Sequence, residues 1–176
     1  YKPLPSQARF HSSKARFKGF SGPIGSGKSQ ALCHEAIRLS YLNAGRIGLI
    51  GAPTYPMLRD ATQVAFLAIL RENDVPYEHN RSENTISILD AQSKILFRPL
   101  ADFDRLRGTN LAWFGVDELT YTPREAWLRL EGRLRDPKAM QLCGFAVWTP
   151  NGYDWVHERF IRSREANYEV VIASPG

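Results

Sequence analysis

Two short stretches carry residue types that can do chemistry together. Gly22-Pro23-Ile24-Gly25-Ser26-Gly27-Lys28-Ser29 fits the pattern GxxxxGK[ST] in full. Glycines let backbone N–H groups turn inward around phosphate, and a helix starting directly after them adds its positive end. In such a loop Gly22, Gly25, Ser26 and Gly27 form the cradle. Lys28 can reach the β and γ phosphates, and the Ser29 hydroxyl can bind Mg²⁺. The implied ligand is ATP with Mg²⁺. The second stretch is Asp117-Glu118, straight after the apolar run Trp113-Phe114-Gly115-Val116. A strand ending in Asp places a carboxylate at the sheet edge, where Asp117 can hold the Mg²⁺ shell. Glu118 is then placed to polarise a water for attack on the γ phosphate. Such a pair separates hydrolysing enzymes with a catalytic glutamate from most small-molecule kinases built on the same loop. Taken alone, Asp117-Glu118 also fits a solvated acidic pair at a helix entry, and the loop alone fits a glycine-rich turn.

Positioning these groups requires a strand before the loop and a helix after it. Arg16 to Ser21 reads as the strand and Lys28 to Leu42 as the helix, with Gly45 as its stop signal. Arg46 to Ala52 is an apolar run suited to a buried parallel strand. Pro56 opens a further helix whose inner face is expected at Leu58, Ala61, Val64, Ala65 and Ala68. Thr85 to Leu89 and Lys94 to Arg98 read as a hairpin across Asp90 to Ser93. Thr122, Pro123 and Glu125 predict a capping box that starts a helix running toward Arg135. Leu142 to Trp148 is another strand, followed by a helix over 154–161 and a strand over 168–172. The alternation implies an α/β fold, and the GxxxxGK[ST] loop with the acidic pair makes the expected type a P-loop NTPase (ASCE/RecA-like). Its central sheet is mostly parallel, with helices on both faces and an antiparallel hairpin inserted.

Composition fits a single globular domain over residues 1–176. Apolar residues make up 43% of the chain and charged residues 23%, and the net charge is +5. That mild excess permits nucleic-acid binding without demanding it. No secretion leader is visible, and the longest plain apolar run, Val64 to Leu70, is far short of a membrane span. Cys33 and Cys143 read as reduced core thiols, and His11, His34, His79 and His157 show no metal-ligand spacing. Trp113, Phe114, Phe145 and Trp148 fall on buried strands. Lys14, Arg16 and Lys18 near the loop are ambiguous between surface and site. Arg124, Arg129, Arg133 and Arg135 fit either DNA phosphate contacts or a solvated helix face paired with Glu125 and Glu131.

Further segments stand in a telling order: Tyr1-Lys2-Pro3-Leu4-Pro5-Ser6-Gln7, Ala52-Pro53-Thr54-Tyr55, Leu106-Arg107-Gly108-Thr109-Asn110-Leu111, and Thr149-Pro150-Asn151-Gly152 with Trp155 beyond. Together with the loop and the acidic pair, they resemble the ATPase domain of the large terminase subunit of tailed bacteriophages, over nearly the whole chain. The resemblance implies that Gln7 recognises adenine and that Arg107 acts as a finger in a neighbour's ATP site. It also implies that Thr149 belongs to a motif coupling hydrolysis to motion. Each has a plainer reading: Gln7 as a local turn cap, Arg107 paired with Asp102 or Asp104, Thr149 as a helix cap. One departure is Ile24, where many large terminases carry an arginine; that arginine's role does not carry over.

The resemblance implies an Mg²⁺-dependent ATPase motor that drives double-stranded DNA into a viral procapsid. The assembly expected from it is a ring of identical subunits on the portal protein, working with the small terminase subunit, in the host cytoplasm; a monomer in isolation is compatible with it. The family's nuclease half is not expected within these residues, so no DNA cutting is assigned to them. Rival readings are a helicase-like or other nucleic-acid-stimulated ATPase, a small-molecule kinase, and a nucleotide-binding scaffold without turnover. A kinase transfers phosphate to an acceptor and does not need Glu118.

Overall fold

The computed structural model describes residues 1–106, 108–152, 154–162 and 167–173. Among these residues eight strands form one sheet: β1 (Phe17–Ser21), β2 (Ile47–Ala52), β3 (Tyr77–Asn80), β4 (Thr85–Ile88), β5 (Ser93–Pro99), β6 (Trp113–Val116), β7 (Cys143–Trp148) and β8 (Tyr168–Ile172). Their order is β3-β4-β5-β2-β6-β7-β1-β8. The six strands from β5 to β8 in that order are parallel to one another. β3 and β4 add on antiparallel, as a hairpin insertion requires. β7 separates β1 from β6, with Ser21 beside Trp148 and Val116 beside Ala146. The strand ends leading into the phosphate loop, the acidic pair and Thr149 therefore meet at one edge.

Helices cover both faces. On one side α1 (Pro5–Ser12), α2 (Lys28–Leu42) and α4 (Gln63–Glu72) pack Phe10, Leu32, Leu39 and Phe66 with Phe20, Ile50, Phe97 and Phe145 of the sheet. On the other, α5 (Arg124–Arg133) and the short α6 (Trp155–His157) with its π-helical extension Glu158–Arg162 pack Trp127, Leu130, Val156 and Phe160 with Phe17, Phe114 and Trp148. The sheet accepts these rings through glycine. A Cβ at Gly48 would fall 1.9 Å from Trp113 Cε2, and one at Gly19 would fall 2.3 Å from Trp148 Cη2. Cys33 and Cys143 are buried free thiols. Among the described residues, no helix is long and apolar enough to cross a membrane.

The helix after β2 departs from expectation. It begins as α3 (Tyr55–Met57), widens into a π turn at Leu58–Thr62, and continues as α4. The Gln63 N–H bonds the Leu58 carbonyl, one residue farther than in an α-helix. That extra residue resets the helix phase. Leu58, Thr62, Gln63, Phe66, Ile69 and Leu70 are buried, whereas the expected inner residues Ala61 and Val64 are exposed. The Thr122 capping box also fails to form. The chain reaches α5 through a 3₁₀ turn, Leu119–Tyr121, so the Thr122 N–H bonds Leu119 O and Pro123 is the residue that precedes the helix. The Thr122 hydroxyl is left buried with no hydrogen bond among the described residues.

One strand and one α-helix have no counterpart in the sequence reading. β3 is a short polar edge strand of alternating half-buried and exposed residues. α1 has Pro5 in its first turn, and its Leu4 N–H bonds Gln7 Oε1 at 2.8 Å. A buried ionic hub anchors α1. Lys18, on β1 and only 1% exposed, donates through Nζ to Phe10 O (2.8 Å) and Ser13 O (3.0 Å) and pairs with Glu35 Oε2 at 2.8 Å. Lys18 is therefore neither a surface nor a site residue.

Candidate active site

The loop leaves β1 at Ser21 and turns under its own constraints. Gly25 and Gly27 take φ of +83° and +86°, which disfavour any side chain. The Gly22 N–H bonds Trp148 O at 3.1 Å, and the Ser26 N–H bonds Pro23 O at 3.1 Å. A Cβ at Gly22 would fall 2.5 Å from Ser26 Oγ. That hydroxyl is buried with no hydrogen-bond partner among the described residues, which suits a concavity built to take further acceptors. Lys28, at the first turn of α2, is buried and rests its Nζ 3.2 Å from Pro23 O. Ser29 is exposed, and Ile24 at the loop tip is 91% exposed.

The acidic pair lies at the end of β6, with β7 between it and the loop's strand. Asp117 is 7% exposed, and its N–H bonds Gly51 O at 2.9 Å. Burial raises the Asp117 carboxyl pKa above the ordinary value; a hydrogen bond from Thr62, the Glu118 N–H and the charge of Lys28 oppose that rise. Glu118 is half-buried in the left-handed region, at φ 54° and ψ 52°. Such a conformation costs a non-glycine residue about 1–3 kcal/mol and collects at functional sites. The Glu118 carboxyl is also raised, by burial and then by the Asp117 charge, with Lys28 acting against both. A raised pKa suits a group that accepts a proton. Lys28 acts electrostatically on both carboxylates, and the parallel order β6-β7-β1 brings loop and acidic pair to the same end of the sheet. No cluster of three His, Cys, Asp or Glu residues suited to a metal occurs among the described residues. The donors present, one carboxylate and one hydroxyl, instead fit Mg²⁺, which keeps waters and is completed by substrate phosphates.

The remaining sequence candidates fall in different places. Thr149 directly follows Trp148, whose carbonyl holds the Gly22 N–H, so it stands between loop and acidic pair. Gln7 is buried behind the loop: Nε2 donates to Gly27 O at 2.9 Å while Oε1 accepts from Leu4. In this position Gln7 braces the phosphate loop. Arg107 lies outside the described residues. Among the described residues Asp102 pairs with Arg105 at 2.9 Å and Asp104 with Arg129 at 3.5 Å, and neither pairing bears on Arg107. Nor does Glu131 pair with the α5 arginines. It binds Arg159 at 2.8 Å and accepts from Trp127 Nε1, because α5 turns that edge toward the π-helical segment. Arg133 instead donates to Thr109 O and Arg135 to Asn110 Oδ1. One residue at the site escaped sequence reasoning. Thr62 donates its hydroxyl to Asp117 Oδ2 at 2.7 Å.

No family model matches the sequence, and no curated protein matches it. Solved structures do. The large terminase of a thermophilic bacteriophage superimposes with a TM-score of 0.83 over 98% of this chain, at 16% identity. The Thermus phage P74-26 large terminase ATPase domain gives 0.78 over 99% of the chain, at 21% identity. The fold is that of the large terminase ATPase domain. This chain spans 46% of the thermophilic phage's terminase and 82% of the P74-26 ATPase domain. The N-terminal domain of the DNA packaging ATPase of bacteriophage phi29 matches more loosely, at 0.67 and 14% identity over 96% of this chain and 94% of that one. The thermophilic phage's terminase also has structures in complex with ADP and with ATP-gamma-S.

Proposed function

We propose that residues 1–176 form the ATPase motor domain of a large terminase and use Mg²⁺-ATP to drive double-stranded DNA into a viral procapsid. The observation that carries this reading is the meeting of Lys28, Asp117 and Glu118 at one sheet edge, in a fold shared with terminase ATPase domains. Gly22, Gly25, Ser26 and Gly27 wrap the phosphates with backbone N–H groups, and Lys28 adds a point charge at the β and γ positions. Ser29 and Asp117 hold Mg²⁺, which neutralises charge on the phosphates when bound. Glu118 orients a water and takes its proton as the water attacks. Thr149, between the two strand ends, senses the γ phosphate and passes its loss to the segment that follows. Gln7 serves the adenine side of the site. Arg107 completes the site of a neighbouring subunit with a guanidinium, which is permanently charged and suits phosphate in transfer.

In this reading DNA is held through its phosphates, without sequence readout. The working form is a homo-oligomeric ring docked transiently on the portal in the host cytoplasm, with the small terminase subunit as a further partner. The test is packaging itself. Procapsids, portal, ATP and the protein bearing this domain should protect linear double-stranded DNA from added DNase. Protection should vanish with a non-hydrolysable ATP analogue. Undiminished protection with that analogue, or none with ATP under conditions where the ring is seen on the portal, overturns the motor assignment.

A further inference from the structure

Asp117 does not stand alone at the end of β6. Its Oδ2 accepts the Thr62 hydroxyl at 2.7 Å, and both side chains are buried, Thr62 to 3% exposure. Thr62 closes the π turn Leu58–Thr62, the one wide turn in the run from Tyr55 to Glu72. The widened turn buries Leu58, Thr62 and Gln63 while leaving Ala61 and Val64 outside. Helices seldom widen in this way, and where they do a functional site is often adjacent. Here the effect is to deliver one hydroxyl to one carboxylate oxygen.

The chemistry of that contact is directional. An ionised carboxylate only accepts hydrogen bonds, and a threonine hydroxyl has a single proton to give. Donation to Oδ2 constrains the plane of the carboxylate, which also accepts the Glu118 N–H, and leaves further lone pairs that could receive a hydrated ion. Partners of this kind around a metal site orient the groups that hold the ion. We propose that Thr62 is a positioning residue of the metal site, holding the Asp117 carboxylate in the orientation that receives hydrated Mg²⁺. This inference rests on the ATPase reading above. It makes the π turn part of the site and ties the helix that follows Ala52-Pro53-Thr54-Tyr55 to metal binding.

The experiment uses the full chain and a fluorescent ADP analogue, titrated with Mg²⁺ and again with EDTA. Binding of Mn²⁺ followed by electron paramagnetic resonance gives a second readout independent of turnover. Thr62→Val keeps the shape and removes the donor. It should raise the Mg²⁺ concentration for half-maximal tight binding about tenfold or more and weaken Mn²⁺ similarly. Affinity in EDTA should stay at the parent value. Thr62→Ser retains the hydroxyl and should behave as the parent. If Thr62→Val fails to fold, Thr62→Ala removes the donor without adding a methyl and should show the same loss. Parent-like Mg²⁺ dependence in a folded variant lacking the hydroxyl overturns the inference, as does an equal loss in Thr62→Ser, which would mark a packing effect. A parent protein whose nucleotide affinity ignores Mg²⁺ overturns the ATPase reading as well, so the two failures are distinguishable.

Discussion

Replacing Glu35 by Gln should strongly destabilise the protein. Glu35 is fully buried on α2. Its carboxylate meets Arg38 Nη2 at 2.7 Å, Lys18 Nζ at 2.8 Å and His11 Nδ1 at 2.9 Å. Burial alone pushes the Glu35 pKa up; hydrogen bonds from His11 and Arg38, with the charges of Lys18 and Arg38, outweigh it and bring it from 4.5 to about 2. A carboxyl lowered on folding stabilises the protein above its unfolded pKa. That contribution, about 3 kcal/mol for this difference, is lost as pH falls from 4.5 toward 2. In Glu35→Gln the Lys18 ammonium stays buried against backbone carbonyls without its counter-charge. Breaking a buried pair this way costs about 3–5 kcal/mol. Urea denaturation at neutral pH should show a loss of that size, and the gap to the parent should narrow as pH falls below 4.5. The hub also anchors α1, whose Gln7 braces Gly27, so nucleotide affinity should fall even where the variant remains folded. A variant within about 0.5 kcal/mol of the parent at neutral pH, or a gap that does not change with pH, would refute this reasoning.

Three further outcomes follow from the site. Glu118→Gln should bind Mg²⁺-ATP like the parent and hydrolyse it about 10²–10⁴-fold more slowly, whereas Asp117→Asn should lose Mg²⁺ dependence and affinity together; equal, small effects in steady-state kinetics reject that division of roles. Gly27→Ala places a Cβ 2.3 Å from Gln7 Nε2 at a φ of +86°, so both melting temperature and nucleotide affinity should drop, and parent values for both contradict the bracing contact. Arg107→Ala should bind ATP yet lose about 10³–10⁵-fold in hydrolysis within the ring. Mixing it with Glu118→Gln subunits should restore part of the activity, and mixed rings without recovery at any ratio show that Arg107 acts within its own subunit.

What the sequence made legible follows from what local pattern can encode. α2 over Lys28–Leu42 and β8 over Tyr168–Ile172 match their expected bounds, because apolar period and chain-stop residues act within a few positions. The loop over residues 22–29 and Asp117-Glu118 could be picked out as candidates because each is a contiguous motif; the chemistry assigned to them belongs to the proposed function. Strand order is different: nothing local says that β7 lies between β1 and β6, and that insertion is what puts Thr149 between loop and acidic pair. Thr62 was invisible because a 3.6-residue template cannot register the inserted residue of a π turn, and its partner is 55 positions away. Lys18 misled for a similar reason, its buried partner Glu35 being on the next helix. At Thr122 the local cap signal was present and lost, because the preceding 3₁₀ turn already used its N–H. α1 could have been found from Pro5 and Gln7, which mark a helix start.

The most direct test is release of inorganic phosphate from ATP in the presence of Mg²⁺, with and without double-stranded DNA, by the parent in its assembled ring and by Lys28→Ala. The parent should release phosphate to water, faster with DNA, and Lys28→Ala should release none above background, because the Lys28 ammonium is the charge the loop itself brings to the β and γ phosphates. Hydrolysis by Lys28→Ala at the parent rate, or delivery of the γ phosphate to an acceptor other than water, would contradict a hydrolytic motor built on this loop.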